Sequence, residues 1–158
     1  MLIELLQPDE WRRMKTMRLE ALADAPEAFL RTWDEERAYD DATWIDRMGG
    51  SVAHFVARHE DRDVGLVVGA PYDDDLGLFG MWVHPAARGQ GAGDGLVEAV
   101  VGWAAASEAA RLLLDVADEN QPAIALYARH RFEPTGITSR LPPPRAHILE
   151  HQRARRLP

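Results

Sequence analysis

The sequence predicts a mixed α/β domain whose sheet is mostly antiparallel but contains one parallel crossover. Three observations carry that reading. Apolar residues switch between the three- and four-residue spacing of helices and the short β-rich runs of strands. Residues 51–83 hold three successive strand-like runs separated by charged turns. The central strand–helix–strand, residues 76–116, must cross over in parallel if both strands share a sheet. A chain of 158 residues is enough for one domain with a full core.

Residues 2–7 alternate as a short first strand. Pro8-Asp9-Glu10 opens a helix with acids at its N-terminus. Trp11, Met14, Met17, Ala21 and Leu22 then share one apolar face until Ala25-Pro26 interrupts it. A second helical pattern runs from about Asp34 to Met48, carrying Tyr39, Trp44 and Ile45, and stops at Gly49-Gly50. Strands at 52–58 and 64–70 flank the turn Glu60-Asp61-Arg62-Asp63, and Pro71 to Asp75 leads into a third at 76–83. Gly77 and Gly80 inside that strand mark a bulge or the close approach of another backbone. After a glycine-rich turn come a helix at 93–106, a buried strand at 112–116, and a helix capped by Asn120 that runs to about His130. Phe132 starts a strand, Leu141-Pro142-Pro143-Pro144 is a loop, and 145–151 reads as the last strand. Arg153 to Pro158 reads as a loose basic tail, so the domain is expected to span 1–152.

Composition narrows the function classes. Hydrophobic content of 46% and charged content of 28% suit a globular protein. No window approaches the roughly 18 consecutive apolar residues of a membrane span, and the first residues lack signal-peptide features. The absence of cysteine removes disulfides, a thiolate nucleophile and Cys-based metal sites. The expected location is cytoplasmic, with no membrane partner. A net charge of −8 argues against a nucleic-acid partner. Acids are concentrated between Arg31 and Asp75; most belong to a solvated surface, and the remainder mildly favours a cationic ligand. His147 and His151 are four apart but fall on a predicted strand without a third ligand, so no metal is expected. His84, before Pro85 at a strand end, reads as structural. Ser51, Ser107 and Ser139 lack a nucleophile-elbow context.

The most informative stretch is Val83-His84-Pro85-Ala86-Ala87-Arg88-Gly89-Gln90-Gly91-Ala92-Gly93. A strand, a turn built of backbone and a helix N-terminus make an anion site, where successive amides and the helix dipole point at one place. A P-loop would need a lysine followed by Ser or Thr at the helix start, and the only lysine is Lys15. A dinucleotide fingerprint fails because Asp94 or Leu96 stands at the third glycine position.

What remains, Arg88-x-x-Gly91-x-Gly93 after Val83-x-Pro85, resembles motif A of the GNAT superfamily of N-acetyltransferases, which bind acetyl-coenzyme A. The likeness covers most of the chain. Asn120-Gln121-Pro122-Ala123-Ile124-Ala125-Leu126-Tyr127 with Phe132 is similar to the second signature. Arg18-Leu19-Glu20-Ala21-Leu22 with Pro26-Glu27-Ala28-Phe29 is similar to the opening of many small members. The resemblance implies the GNAT fold: about seven strands, with helices on both faces. It implies acetyl-coenzyme A as co-substrate, no metal, a small-molecule or peptide amine acceptor and, as in many relatives, a homodimer.

Carried over residue by residue, the resemblance implies that backbone groups of Met81 and Val83 pair with the pantetheine arm. Arg88 and the amides of Gly89, Gln90, Gly91, Ala92, Gly93 and Asp94 would hold the pyrophosphate, and Asn120 would touch the pantetheine. Tyr127 would protonate the leaving thiolate. Direct attack by a neutral amine needs a base, and Asp34, Glu35 and Glu36 fall where the family's first two helices build the acceptor cavity. Trp33 and Trp44 lie within reach of the same cavity. Structural readings stand beside these: Tyr127 as a core residue, Asn120 as a helix cap, Arg88 as a turn-closing side chain. Two departures from the family stand out. Arg131 replaces the glycine before the aromatic, which predicts a different helix end. Asp94 replaces a basic or small residue, and its charge would repel a pyrophosphate. The resulting expectation is an N-acetyltransferase; the alternatives are transfer of another acyl group, or a non-catalytic coenzyme A-binding or regulatory domain.

Overall fold

A computed structural model describes residues 1–158. The strands are β1 (Leu2–Leu5), β2 (Ala53–His59), β3 (Arg62–Tyr72), β4 (Asp75–Val83), β5 (Arg111–Ala117), β6 (Glu133–Arg140) and β7 (Leu149–Arg156). The helices are α1 (Trp11–Asp24), α2 (Trp33–Arg37), α3 (Asp41–Asp46), α4 (Ala92–Ala106) and α5 (Gln121–Arg129). The seven strands form one sheet in the order β1-β2-β3-β4-β5-β7-β6. Every pairing is antiparallel except β4 with β5.

Two apolar cores cover the two faces of this sheet. On one, Leu96, Val97, Val100, Val101 and Ala104 of α4 are buried with Phe55, Leu112, Leu114, Val116, Tyr127 and Phe132. On the other, α1 buries the predicted stripe of Trp11, Met14, Met17, Ala21 and Leu22 against Val56, Leu66 and Trp82. The alternation of β2 explains the division: Phe55 turns to α4 while Val56 turns to α1.

Several expectations need correction. The single helix expected from Asp34 to Met48 is two short ones. Thr32 caps α2 by accepting from the Glu35 amide at 3.1 Å, and Asp40 caps α3 by accepting from the Thr43 amide at 2.9 Å. A cap ends the preceding segment as firmly as it starts the next. The tail is not loose: residues 153–156 form the second half of β7, paired with β5. Arg155 Nη1 donates to Glu98 at 2.8 Å, and Arg153 Nη1 donates to the Phe132 carbonyl at 3.1 Å. His147 precedes β7, so it is not on a strand, and His151 Nε2 bonds Asp118.

Nor does α5 end differently. The Phe132 amide reaches back to the Tyr127 carbonyl at 3.0 Å, and the Phe132 ring meets the Tyr127 ring edge-on. This is a Schellman ending, in which the intervening residue is left-handed. Arg131 occupies it at φ 67°, where glycine would sit without strain. Arg131→Gly is therefore expected to stabilise the protein by about 1 kcal/mol, raising Tm by roughly 2–4 °C in thermal unfolding; an unchanged or lower Tm would contradict the strain at this residue.

Candidate active site

The site begins where the sheet opens. β4 and β5 pair only at Leu76↔Leu112 and Gly77↔Leu113, after which the strands part. On its other side β4 stays paired with β3, but the register shifts between Leu66 and Val68, opposite Gly80 at φ 61°. That bulge bends β4 away from β5. A cavity of about 710 Å³ occupies the opening, with Gly80, Met81, Val116, Ala117, Asn120 and Tyr127 among its walls.

At the N-terminus of α4, Gly89 and Gly91 have φ of 75° and 88°, and a Cβ at either would meet nothing within 4 Å. The Gly95 amide is the first to bond within the helix, to the Gly91 carbonyl at 3.0 Å. The amides from Gly89 to Asp94 therefore have no protein acceptor. A bare backbone cradle at a positive helix end fits a pyrophosphate. Arg88 is committed elsewhere: Nε donates to the Val83 carbonyl at 3.0 Å and Nη2 to Asp24 at 3.1 Å. Its turn-closing role is built into the fold, and it occupies the Val83 carbonyl.

Asp94 is compensated. Its carboxylate accepts from His130 Nε2 at 2.7 Å and Arg129 Nη2 at 3.1 Å. The His130 hydrogen bond holds its carboxyl below the usual range, opposed by burial and aided by Arg129. His130 Nδ1 meets Glu98 at 2.6 Å, and Arg155 reaches the same Glu98 oxygen. This network ties α4 to the end of α5 and to β7.

Asn120 both caps α5, accepting from the Ala123 amide at 3.3 Å, and lines the cavity. Tyr127 also lines it and is buried in the core. Burial alone pushes its phenol well above the ordinary value, so it holds its proton.

The acids singled out in the sequence lie elsewhere. Asp34 and Glu35 are exposed on α2, and neither lines the cavity. Glu36 is fully buried, clamped by Arg18 (Nε 3.1 Å, Nη2 2.8 Å) and by Arg47 Nη1 at 2.7 Å. Burial raises its carboxyl, but the two guanidiniums outweigh that and hold it below the usual range. Trp44 is a core residue and Trp33 packs at the edge of the same core, away from the cavity.

The acids that do line the cavity are Glu27, Asp115 and Glu150. Tyr72 Oη holds Asp115 at 2.8 Å and accepts from Gln152 at 3.1 Å. Burial, then the neighbouring Asp115 charge, pushes the Glu150 carboxyl up, with Arg145 opposing. Arg145 bridges two loops by donating to the carbonyls of Glu27 at 2.9 Å and Phe29 at 2.6 Å. His54, buried on β2, donates from Nε2 to the Arg47 carbonyl at 2.9 Å, and its Nδ1 has no partner. No local spacing announced these residues; topology alone brings them together.

The family model for the acetyltransferase (GNAT) family matches residues 16–132. The chain belongs to the GNAT family. A ribosomal-protein-alanine N-acetyltransferase from Brucella melitensis superposes with a TM-score of 0.78 at 17% identity, covering 99% of this chain and 100% of that one. The Escherichia coli ribosomal-protein-S18-alanine N-acetyltransferase gives 0.73 at 19%, covering 99% and 93%. A putative acetyltransferase from Salmonella typhimurium, solved with acetyl-CoA, gives 0.78 at 15%, covering 99% and 94%. At such identities the likeness establishes the fold. A search of curated proteins finds no match. No helix of this GNAT domain is long and apolar enough to cross a membrane.

Asp94 sits on the cradle yet is half-exposed, so its ion pairs are screened by solvent. Asp94→Ser is expected to lower stability by roughly 0.5–1 kcal/mol, while coenzyme A binds at least as tightly as to wild type. Denaturant unfolding and calorimetry read the two effects; clearly weaker coenzyme A binding would count against the repulsion.

Proposed function

We propose that this protein transfers an acetyl group from acetyl-coenzyme A to a primary amine by direct attack in a ternary complex. The observation that carries this reading is the cavity at the parting of β4 and β5, which has Tyr127 on its wall. The bare amides from Gly89 to Asp94 take the pyrophosphate. The edge of β4 around Met81 and the Val83 amide takes the pantetheine as an added strand, and Asn120 supports it.

The neutral amine nitrogen attacks the thioester carbon, the C–S bond breaks and the thiolate leaves, while the proton that nitrogen sheds on becoming an amide makes good the one given to sulfur. Tyr127, which keeps its proton, supplies it to the departing sulfur. The amine must first lose a proton. Glu150 is the carboxylate suited to accept it, because it faces the cavity, has no hydrogen-bond partner in the protein and is pushed toward greater basicity. Asp115 of β5, held by Tyr72, adds to that basicity through its charge. No thiol nucleophile is required, in keeping with a chain that has no cysteine.

Tyr127→Phe is expected to lower kcat about 100-fold with coenzyme A affinity nearly intact, read by thiol release and calorimetry. Equal losses in both would make Tyr127 a packing residue. Glu150→Gln tests the base. Wild-type kcat/KM should fall as pH drops through the raised carboxyl titration, and the variant should lose that limb along with about 100-fold in rate. A variant that retains the limb would pass the role to another group.

A further inference from the structure

Both signs of charge line the cavity: Arg18, Arg31, Arg47 and Arg145 against Glu27, Asp115 and Glu150. From the α1–α3 side come Arg18 and Arg47, which share the single carboxylate of Glu36. Two guanidiniums on one carboxylate leave one positive charge uncompensated, in a wall where burial limits screening. Within that cluster Arg18 is the member placed to use it. Its Nε and Nη2 hold Glu36, its guanidinium lies 4.6 Å over the Phe29 ring, and its Nη1 donates to nothing in the protein. Nη1 lies 3.5 Å from where a Gly80 Cβ would stand, at the bulge of β4 where the cavity passes the sheet. From the β5–β7 side come Asp115 and Glu150, with no cation bonded to either.

Resting on the acetyltransferase reading above, we propose that the acceptor is a small amine that also carries a carboxylate, of the amino-acid type. Its carboxylate pairs with Arg18 Nη1, and its amine faces Asp115 and Glu150. The charge of this cavity, unlike the acidity of the first half of the sequence, disfavours a polyamine: a ligand bearing only positive charge would meet the surplus of the Arg18–Glu36–Arg47 cluster. A carboxylate also explains why Arg18 is oriented by Phe29 and Glu36 with one fork arm left over. A planar guanidinium presents fixed donors, so a ligand oxygen at Nη1 would be bound directionally.

The test compares amines matched except for the carboxylate, such as phenylalanine with phenethylamine and 4-aminobutyrate with butylamine, with spermidine as the purely cationic probe. Each is titrated by calorimetry into the protein saturated with coenzyme A, and each is assayed for thiol release with acetyl-coenzyme A. At least one carboxylate-bearing member should bind about 10- to 100-fold more tightly than its partner, the range expected for one charge-assisted hydrogen bond. Tighter binding of the decarboxylated partners or of spermidine, or equal binding throughout, overturns the proposal. Because binding is read apart from turnover, selective binding without thiol release would sink the acetyltransferase reading while supporting this one. Arg18→Met leaves Glu36 paired with Arg47, so no buried carboxylate is orphaned. In this variant the preference should vanish through the KM of the carboxylated acceptor while coenzyme A affinity persists. If Arg18→Met does not fold, the wild-type comparison decides alone.

Discussion

The parting of β4 from β5 is the constraint on which the rest of this structure depends. After two paired positions the strands lose each other, and β4 carries an unpaired edge through the middle of a sheet. Unpaired backbone groups inside a protein are costly unless something meets them. Here the opening becomes a cavity, and the elements around it serve to keep it open. The bulge at Gly80 bends β4, α4 covers one face below the opening, and α1 with the loops at 26–31 and 141–148 walls the other. Arg145 fastens those two loops together across more than a hundred residues of sequence.

Ion pairs then join the elements around the opening. Asp24, at the end of α1, accepts from Trp82 Nε1 and from Arg88, so one carboxylate joins α1, β4 and the glycine turn. Around His130, Asp94 and Glu98 of α4 meet Arg129 from α5 and Arg155 from β7. These pairs are partly exposed, and each is worth little alone. Their effect is positional: they tie α4 to the helix that carries Tyr127 and to β7. The Arg18–Glu36–Arg47 cluster is different, since removing Glu36 would leave two half-buried guanidiniums without a counter-charge.

Much of the architecture was legible in the sequence because periodicity reports local burial. The stripe of Trp11, Met14, Met17, Ala21 and Leu22 and the run from Leu96 to Ala104 are buried as their spacing indicates. The glycine turn was legible for a related reason: left-handed residues and a bare backbone need glycine. Where the reading of charged residues failed, the cause was a partner distant in sequence. Glu36 read as a candidate base of the acceptor cavity because Arg18 and Arg47 are not its neighbours in the chain. Arg153 and Arg155 looked like a tail because the groups they bond, the Phe132 carbonyl and Glu98, lie on other elements. Arg131 seemed to forbid a left-handed helix end, yet the Tyr127–Phe132 contact and the Phe132 amide bond impose one.

The sequence by itself determined the family, the order of the elements and the glycine turn that opens α4, since each rests on residues adjacent along the chain. Only the tertiary structure decided which charges face the cavity. Asp34 and Glu35 turn outward and Glu36 into a buried cluster, while Asp115 and Glu150, from strands that pair far from that segment, turn inward. A charge becomes part of a site through its partners and its burial, and both are properties of the fold.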